Sequence, residues 1–256
     1  MSVVERNLAW ADRMLARYTR SWEVIDFDVF ARCFTAPADG VRGNVVSILN
    51  HGPPHSLLVV LPALVKKSVE YGLEHERPGV LFFDLVKYVP VLRDFAERIT
   101  GGHLVSTTDE AAQNLARGDI GMYGTMPEGL HCCFEYEHPI GPFEKLGLVV
   151  AGIEARSKFV LVVHKGTEAW YRPLPLPLSP RVRSMLRRVV GQYAGAHALR
   201  WPSVKPGIDL RIRFLPYEPT ITREGYRALD RAGRRKAIAH EAARMHAAMR
   251  AAWDEM

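Results

Sequence analysis

The strongest constraint on this chain is a rhythm. From Val45 onward, short apolar runs alternate with stretches of helical length. Val45 to Leu49 (V-V-S-I-L) is apolar at four of five positions and reads as a strand buried on both faces. Ser56 to Tyr71 reads as a helix, Gly79 to Leu85 as a second strand, Val89 to Thr100 as a helix and His103 to Ser106 as a short third strand. Thr108 is placed to cap the next helix, with Asp109 and Glu110 in its first turn and Gly118 past its end. Ile120 to Tyr123 is a strand, Phe143 to Arg156 a helix and Phe159 to His164 a strand. This alternation implies an α/β fold: a single domain with a mostly parallel sheet flanked by helices. Ligands of such sheets bind beyond the carboxyl ends of the strands. Two turns fall at such ends, Asn50-His51-Gly52-Pro53-Pro54-His55-Ser56 and Pro127-Glu128-Gly129.

The flanks differ from this core. Over residues 1–35, Leu8, Ala11, Leu15, Tyr18 and Trp22 share one helical face with Met14 beside them, and the arginines lie mostly elsewhere. Such an amphipathic segment either packs on the domain or lies on a membrane. Tyr171 to Pro180 (Y-R-P-L-P-L-P-L-S-P) has too many prolines for a helix or a central strand, so an extended surface segment is expected. Arg181, Arg183, Arg187 and Arg188 follow it. Ile208 to Leu215 alternates apolar and polar residues, as a half-buried strand does. Residues 221–256 read as a basic helical segment of the same domain, with one long helix or two.

Composition narrows the class. A chain of 256 residues that is 48% hydrophobic can bury one substantial core. A net charge of +6 suits an anionic surface or ligand. Three cysteines, two of them adjacent (Cys132 and Cys133), suggest no disulfide framework and fit a reducing compartment. The N-terminus carries no secretory pattern. The longest apolar run, Leu57 to Val65, is too short for a bilayer span. A soluble or peripheral protein is expected.

The two turns carry the chemistry. A histidine after a buried strand, then Pro-Glu-Gly after another, resembles the glycerolipid (lysophospholipid/phospholipid) acyltransferase superfamily, whose paired motifs read N-H-x-x-x-x-D and F-P-E-G-T-R. The similarity covers roughly residues 40–220, including Gly101-Gly102, the helix ending in Gly118 and the strand followed by His164-Lys165-Gly166. It implies an acyltransferase-like α/β domain over residues 36–220. It also implies a member of phospholipid biosynthesis that moves a fatty acyl group from acyl-CoA or acyl-carrier protein to a lipid or alcohol hydroxyl. His51 would be the general base and Glu128 would share the catalytic centre. Asn50, Ser56, Pro127, Gly129, His131 and Lys145 would shape the substrate site. No metal and no cofactor are expected beyond the thioester co-substrate. The expected location is cytoplasmic, peripheral to the inner membrane face, with no nucleic-acid partner.

The departures are specific. Ser56 stands where the family has Asp, and a hydroxyl cannot offset the charge of an imidazolium. Glu128 or Asp84 are candidate substitutes. Thr107 and His131 stand where the family has the arginines that hold an acceptor phosphate. A divergent branch is therefore expected, with a neutral acceptor or one held differently. Two alternatives stay open: a catalytically silent lipid-binding protein on the same fold, and a thioester or ester hydrolase. His51 and His55 have a metal-ligand spacing, but prolines lie between them and no third ligand is apparent. Cys132 and Cys133 read either as a nucleophile beside His131 or as small buried residues.

Overall fold

The computed structural model describes residues 2–34, 44–53, 55–74, 76, 78–81, 104–105, 107–118, 120–175 and 198–256. In chain order the elements are α1 (Val3–Tyr18), β1 (Thr19–Ile25), α2 (Phe27–Ala31), β2 (Val45–Leu49), α3 (Leu57–Glu70), β3 (Pro78–Leu81) and β4 (Leu104–Val105). Then follow α4 (Thr108–Arg117), β5 (Met122–Thr125), β6 (Phe134–Glu135), α5 (Gly147–Glu154), β7 (Lys158–Lys165) and β8 (Tyr171–Pro175). The chain closes with β9 (Ala198–Pro202), β10 (Ile208–Tyr217), α6 (Arg223–Ala228) and α7 (Arg231–Glu255).

Among the described residues, seven strands form the main sheet in the order β1-β10-β7-β2-β5-β3-β4. All neighbours are parallel except β10 and β7. The expected α/β architecture is therefore present. β2 lies between β7 and β5, and a hydrophobic cluster covers each of its faces. Val46 and Ile48 enter one core with Leu115, Leu148 and Met245, while Val45 and Leu49 enter the other with Leu15, Phe27 and Val60. That two-sided burial is why the run has no exposed position. A second, antiparallel sheet of order β6-β9-β8 stands beside the first.

Several sequence expectations change. Trp22 is not on the N-terminal helix: the chain turns at Thr19, and residues Thr19–Ile25 form β1, paired in parallel with β10. Alternation of Trp22, Val24 and polar neighbours suits a strand, and the helical reading ran through it. α1 itself buries Ala11 and Leu15 and packs against α3, so its apolar face is spent on the domain. Over residues 2–34, β1 thus joins the main sheet and α1 packs on the domain, so this segment is more than a helical appendage.

The cap of α4 is Thr107 rather than Thr108, in a reciprocal capping box with Glu110. The helix expected from Phe143 begins only at Gly147, because the N–H groups of Glu144 and Lys145 are taken by the Pro127 carbonyl. Tyr171–Pro175 pairs as a strand, but at the edge of its sheet, where proline is tolerated. Leu176 and Leu178, the arginines from Arg181 to Arg188, Asp84 and the expected helix from Val89 to Thr100 lie outside the described residues. No helix among the described residues is long and apolar enough to cross a membrane.

Candidate active site

Strands β2 and β5 are parallel neighbours with Ile48 opposite Thr125. His51 and Glu128 each lie three residues beyond that pair, so register alone brings them to one edge of the sheet. Their contact is main chain to side chain: the His51 N–H donates to Glu128 Oε2. The other oxygen, Oε1, accepts from the Gly141 N–H at 2.7 Å. Glu128 is 0% exposed, and both its oxygens are thereby committed to backbone. Burial drives its pKa up to about 7 against those two N–H bonds and the charge of Arg200, which favour the anion.

The loop that carries His51 is held from both sides. The Asn50 amide imitates a peptide unit: its Nδ2 donates to the His164 carbonyl at 3.1 Å, and its Oδ1 accepts from the His164 N–H at 2.7 Å. This stitches the end of β2 to β7. Gly52 has φ +58°, and a side chain there would meet His164 Cε1 at 2.6 Å. Ser56 Oγ donates to the His51 carbonyl at 2.6 Å, and the Ser56 N–H donates to the Pro53 carbonyl at 2.9 Å.

Among the six residues expected to shape the substrate site, the geometry gives several a scaffold role. Asn50 is spent on His164. Ser56 is 0% exposed and faces the main chain of His51 rather than its ring. Pro127 accepts the N–H groups of Glu144 and Lys145 at 2.7 and 2.8 Å. Gly129 is buried at φ +55° in the turn. His131 is buried, with Nδ1 on the Tyr136 hydroxyl and Nε2 4.0 Å from Glu144. Lys145 is exposed and pairs with Glu144 at 3.0 Å.

The His51 imidazole is held neutral. Burial, aided by the charge of Arg200, lowers its pKa to about 4 against carbonyls of its own loop. Its buried Nδ1 carries no hydrogen bond. The expected carboxylate on this ring is not found among the described residues: Glu128 holds the backbone instead. Directly beneath, His164 is 1% exposed, is shifted to about 4 chiefly by burial, and leaves Nε2 without a partner, while Nδ1 meets Thr167 Oγ1 at 3.2 Å. The His51/His55 metal reading does not fit: His55 Nε2 donates to the Trp170 carbonyl at 2.8 Å and its ring stacks on Trp170.

Arg200 was not singled out in the sequence. It lies on β9, where Ala198 and Arg200 face inward and Trp201 faces outward, and it is only 5% exposed. A charge in the short run Ala198-Leu199-Arg200-Trp201 was the available signal. Its charge acts on His51, Glu128, Cys132 and Cys133 together. The two cysteines are free, with sulfurs 3.8 Å apart. The Cys133 thiol is lowered to about 7, first by the hydrogen bond from Cys132 and then by Arg200, while Cys132 is raised. A separate open groove of about 540 Å³, lined by Leu146, Val150, Ile238 and the arginines of early α7, includes neither His51 nor Glu128. No protein-family model matches the chain, and no curated protein matches it.

Proposed function

We propose that this protein transfers a fatty acyl group from a CoA or carrier-protein thioester to a lipid or alcohol hydroxyl, with His51 as general base. The observation that supports this is the pairing of a neutral, partly exposed His51 with buried Glu128 at the carboxyl ends of adjacent parallel strands. In the reaction, His51 takes the acceptor's O–H proton as the oxygen attacks the thioester carbon. The C–S bond then breaks, and the thiolate leaves with the proton returned from the imidazolium. Glu128 acts as a positioning residue, fixing the peptide that carries the base. The resemblance to glycerolipid acyltransferases supports the same chemistry, through the Asn50-His51 and Pro127-Glu128-Gly129 motifs.

One observation favours a second reading. The unpartnered Nδ1 of His51 leaves the imidazolium without a carboxylate, as a silent lipid-binding protein would tolerate. Incubation with palmitoyl-CoA, with and without monoacylglycerol, separates the readings. Acyl transfer that falls about a hundredfold or more in His51→Ala, with the melting temperature unchanged, is expected. Thiol release that needs no acceptor would make the protein a hydrolase. Neither product, with lipid still bound, would make it a binding protein.

A further inference from the structure

Among the described residues, the most unusual charge is Arg200. Its guanidinium is a cation, and it is nearly fully buried. Its Nη2 donates to the Pro139 carbonyl at 3.0 Å, and the guanidinium lies over the Tyr171 ring at 4.8 Å. Neither partner is an anion. Its buried Nε–H has no acceptor. Among the described residues, no carboxylate forms an ion pair with it. A buried cation in that condition is costly unless something negative completes it.

The fold sets this cation at the candidate site rather than elsewhere. β9 pairs with β6, Leu199 opposite Phe134, and β6 directly follows the turn Gly129–Cys133 that begins at Glu128. Pro139, which Arg200 holds, stands two residues before Gly141, which holds Glu128. Glu128 forms no ion pair with it: both its oxygens are hydrogen-bonded to backbone N–H groups, and burial keeps its carboxyl from ionising fully at neutral pH. His51, on the other side of Glu128, is neutral and adds no charge of its own.

We propose that Arg200 is the anion-binding residue of the site and takes a phosphate ester on the ligand, using the Nε–H that the protein leaves unpaired. A planar, forked donor is suited to phosphate oxygens. The phosphate would lie beside the turn that carries Glu128 and within the field that Arg200 casts on His51. This places the charged group from β9, a strand far in sequence from both turns, so His131 and Thr107 need not supply it.

The inference rests on the acyl-transfer reading only for the view that this is a ligand site, and binding can be measured without turnover. Isothermal titration of the full-length protein with decyl phosphate, decanol and inorganic phosphate is the test. Decyl phosphate should bind, and Arg200→Gln should weaken it tenfold or more while decanol is unaffected. Arg200→Lys, which keeps the charge but not the fork, should fall between, and it carries the test if Arg200→Gln does not fold. Decyl phosphate binding more tightly than inorganic phosphate is expected and would identify a phosphate ester on an alkyl chain; equal binding would identify a free anion and overturn the ester. A folded Arg200→Gln that binds decyl phosphate as well as the native protein would overturn the proposal. So would a native protein that binds decanol and decyl phosphate alike. Failure here leaves the His51→Ala result standing, and the reverse also holds.

Discussion

Ser56 shows how much one hydroxyl can decide. It stands where an aspartate would offset the charge of His51, but it donates instead to the His51 carbonyl, and it is fully buried while doing so. Ser56→Asp therefore does not restore a catalytic pair. An aspartate has no proton to give that carbonyl, and its charge would be buried without a partner. We expect a loss of about 2–3 kcal/mol in denaturant unfolding, against about 1 kcal/mol for Ser56→Ala. An aspartate variant as stable as the native protein would place Ser56 elsewhere. The same geometry fixes a pH expectation. His51 is the active base only when deprotonated, and its pKa is lowered to about 4. Activity should hold through mildly acidic pH, with the acid limb of kcat/KM near 4. A limb near 6.5 would show that the free protein stabilises the imidazolium after all. The motifs put His51 and Glu128 past the ends of two strands, and the fold brings the His51 N–H onto the Glu128 carboxylate. They could not reveal that Glu128 binds a peptide N–H, because a side chain's partner is set by loop geometry that no spacing encodes.

At the scale of elements, β8 and β9 divide their residues by face. Arg200 and the ring of Tyr171 turn inward; Arg172, Leu174 and Trp201 turn outward, with Leu174 at 43% and Trp201 at 56% exposure. An exposed tryptophan and leucine beside an arginine form a contact suited to an anionic bilayer. The double variant Leu174→Ser with Trp201→Ser should weaken flotation with phosphatidylglycerol vesicles and leave the melting temperature unchanged. Unaltered flotation would remove this face from membrane binding. The proline spacing of Tyr171-Arg172-Pro173-Leu174-Pro175 announced an extended segment, and pairing at a sheet edge is what extended backbone with missing donors can do. β1 was illegible for a different reason. Tyr18 and Trp22 continue a helical spacing across the boundary, and only pairing with β10, nearly two hundred residues away, selects the strand. Long-range partners override local period.

Across the whole molecule, buried titratable groups set a stability profile. A histidine with a lowered folded pKa is protonated first in the unfolded chain. The contributions of His51 and His164 are thus complete above about 6.5 and are lost as pH falls toward 4. Glu128 has the opposite sign: its pKa is raised to about 7, so its contribution is complete below about 4.5 and lost as pH rises through 7. Two protons against one leave a net loss of about 1.4 kcal/mol per pH unit between 6.5 and 4.5. His55, His131, His138 and His246 are lowered as well and add to it. Urea midpoints should fall over that range, and His164→Gln should flatten the slope. A flat native profile would mean that these imidazoles are solvated.

The pairing of β1 with β10 has one more consequence, for the order of events during synthesis. β1 leaves the ribosome before the other strands described, yet its sheet neighbour among the described residues begins at Ile208. Until then its backbone donors and acceptors have no sheet partner, and Trp22 and Val24 lack the surface they pack on. The amino-terminal segment must therefore wait for most of the chain, which makes closure of this edge a late and slow step and a natural point for chaperone holding.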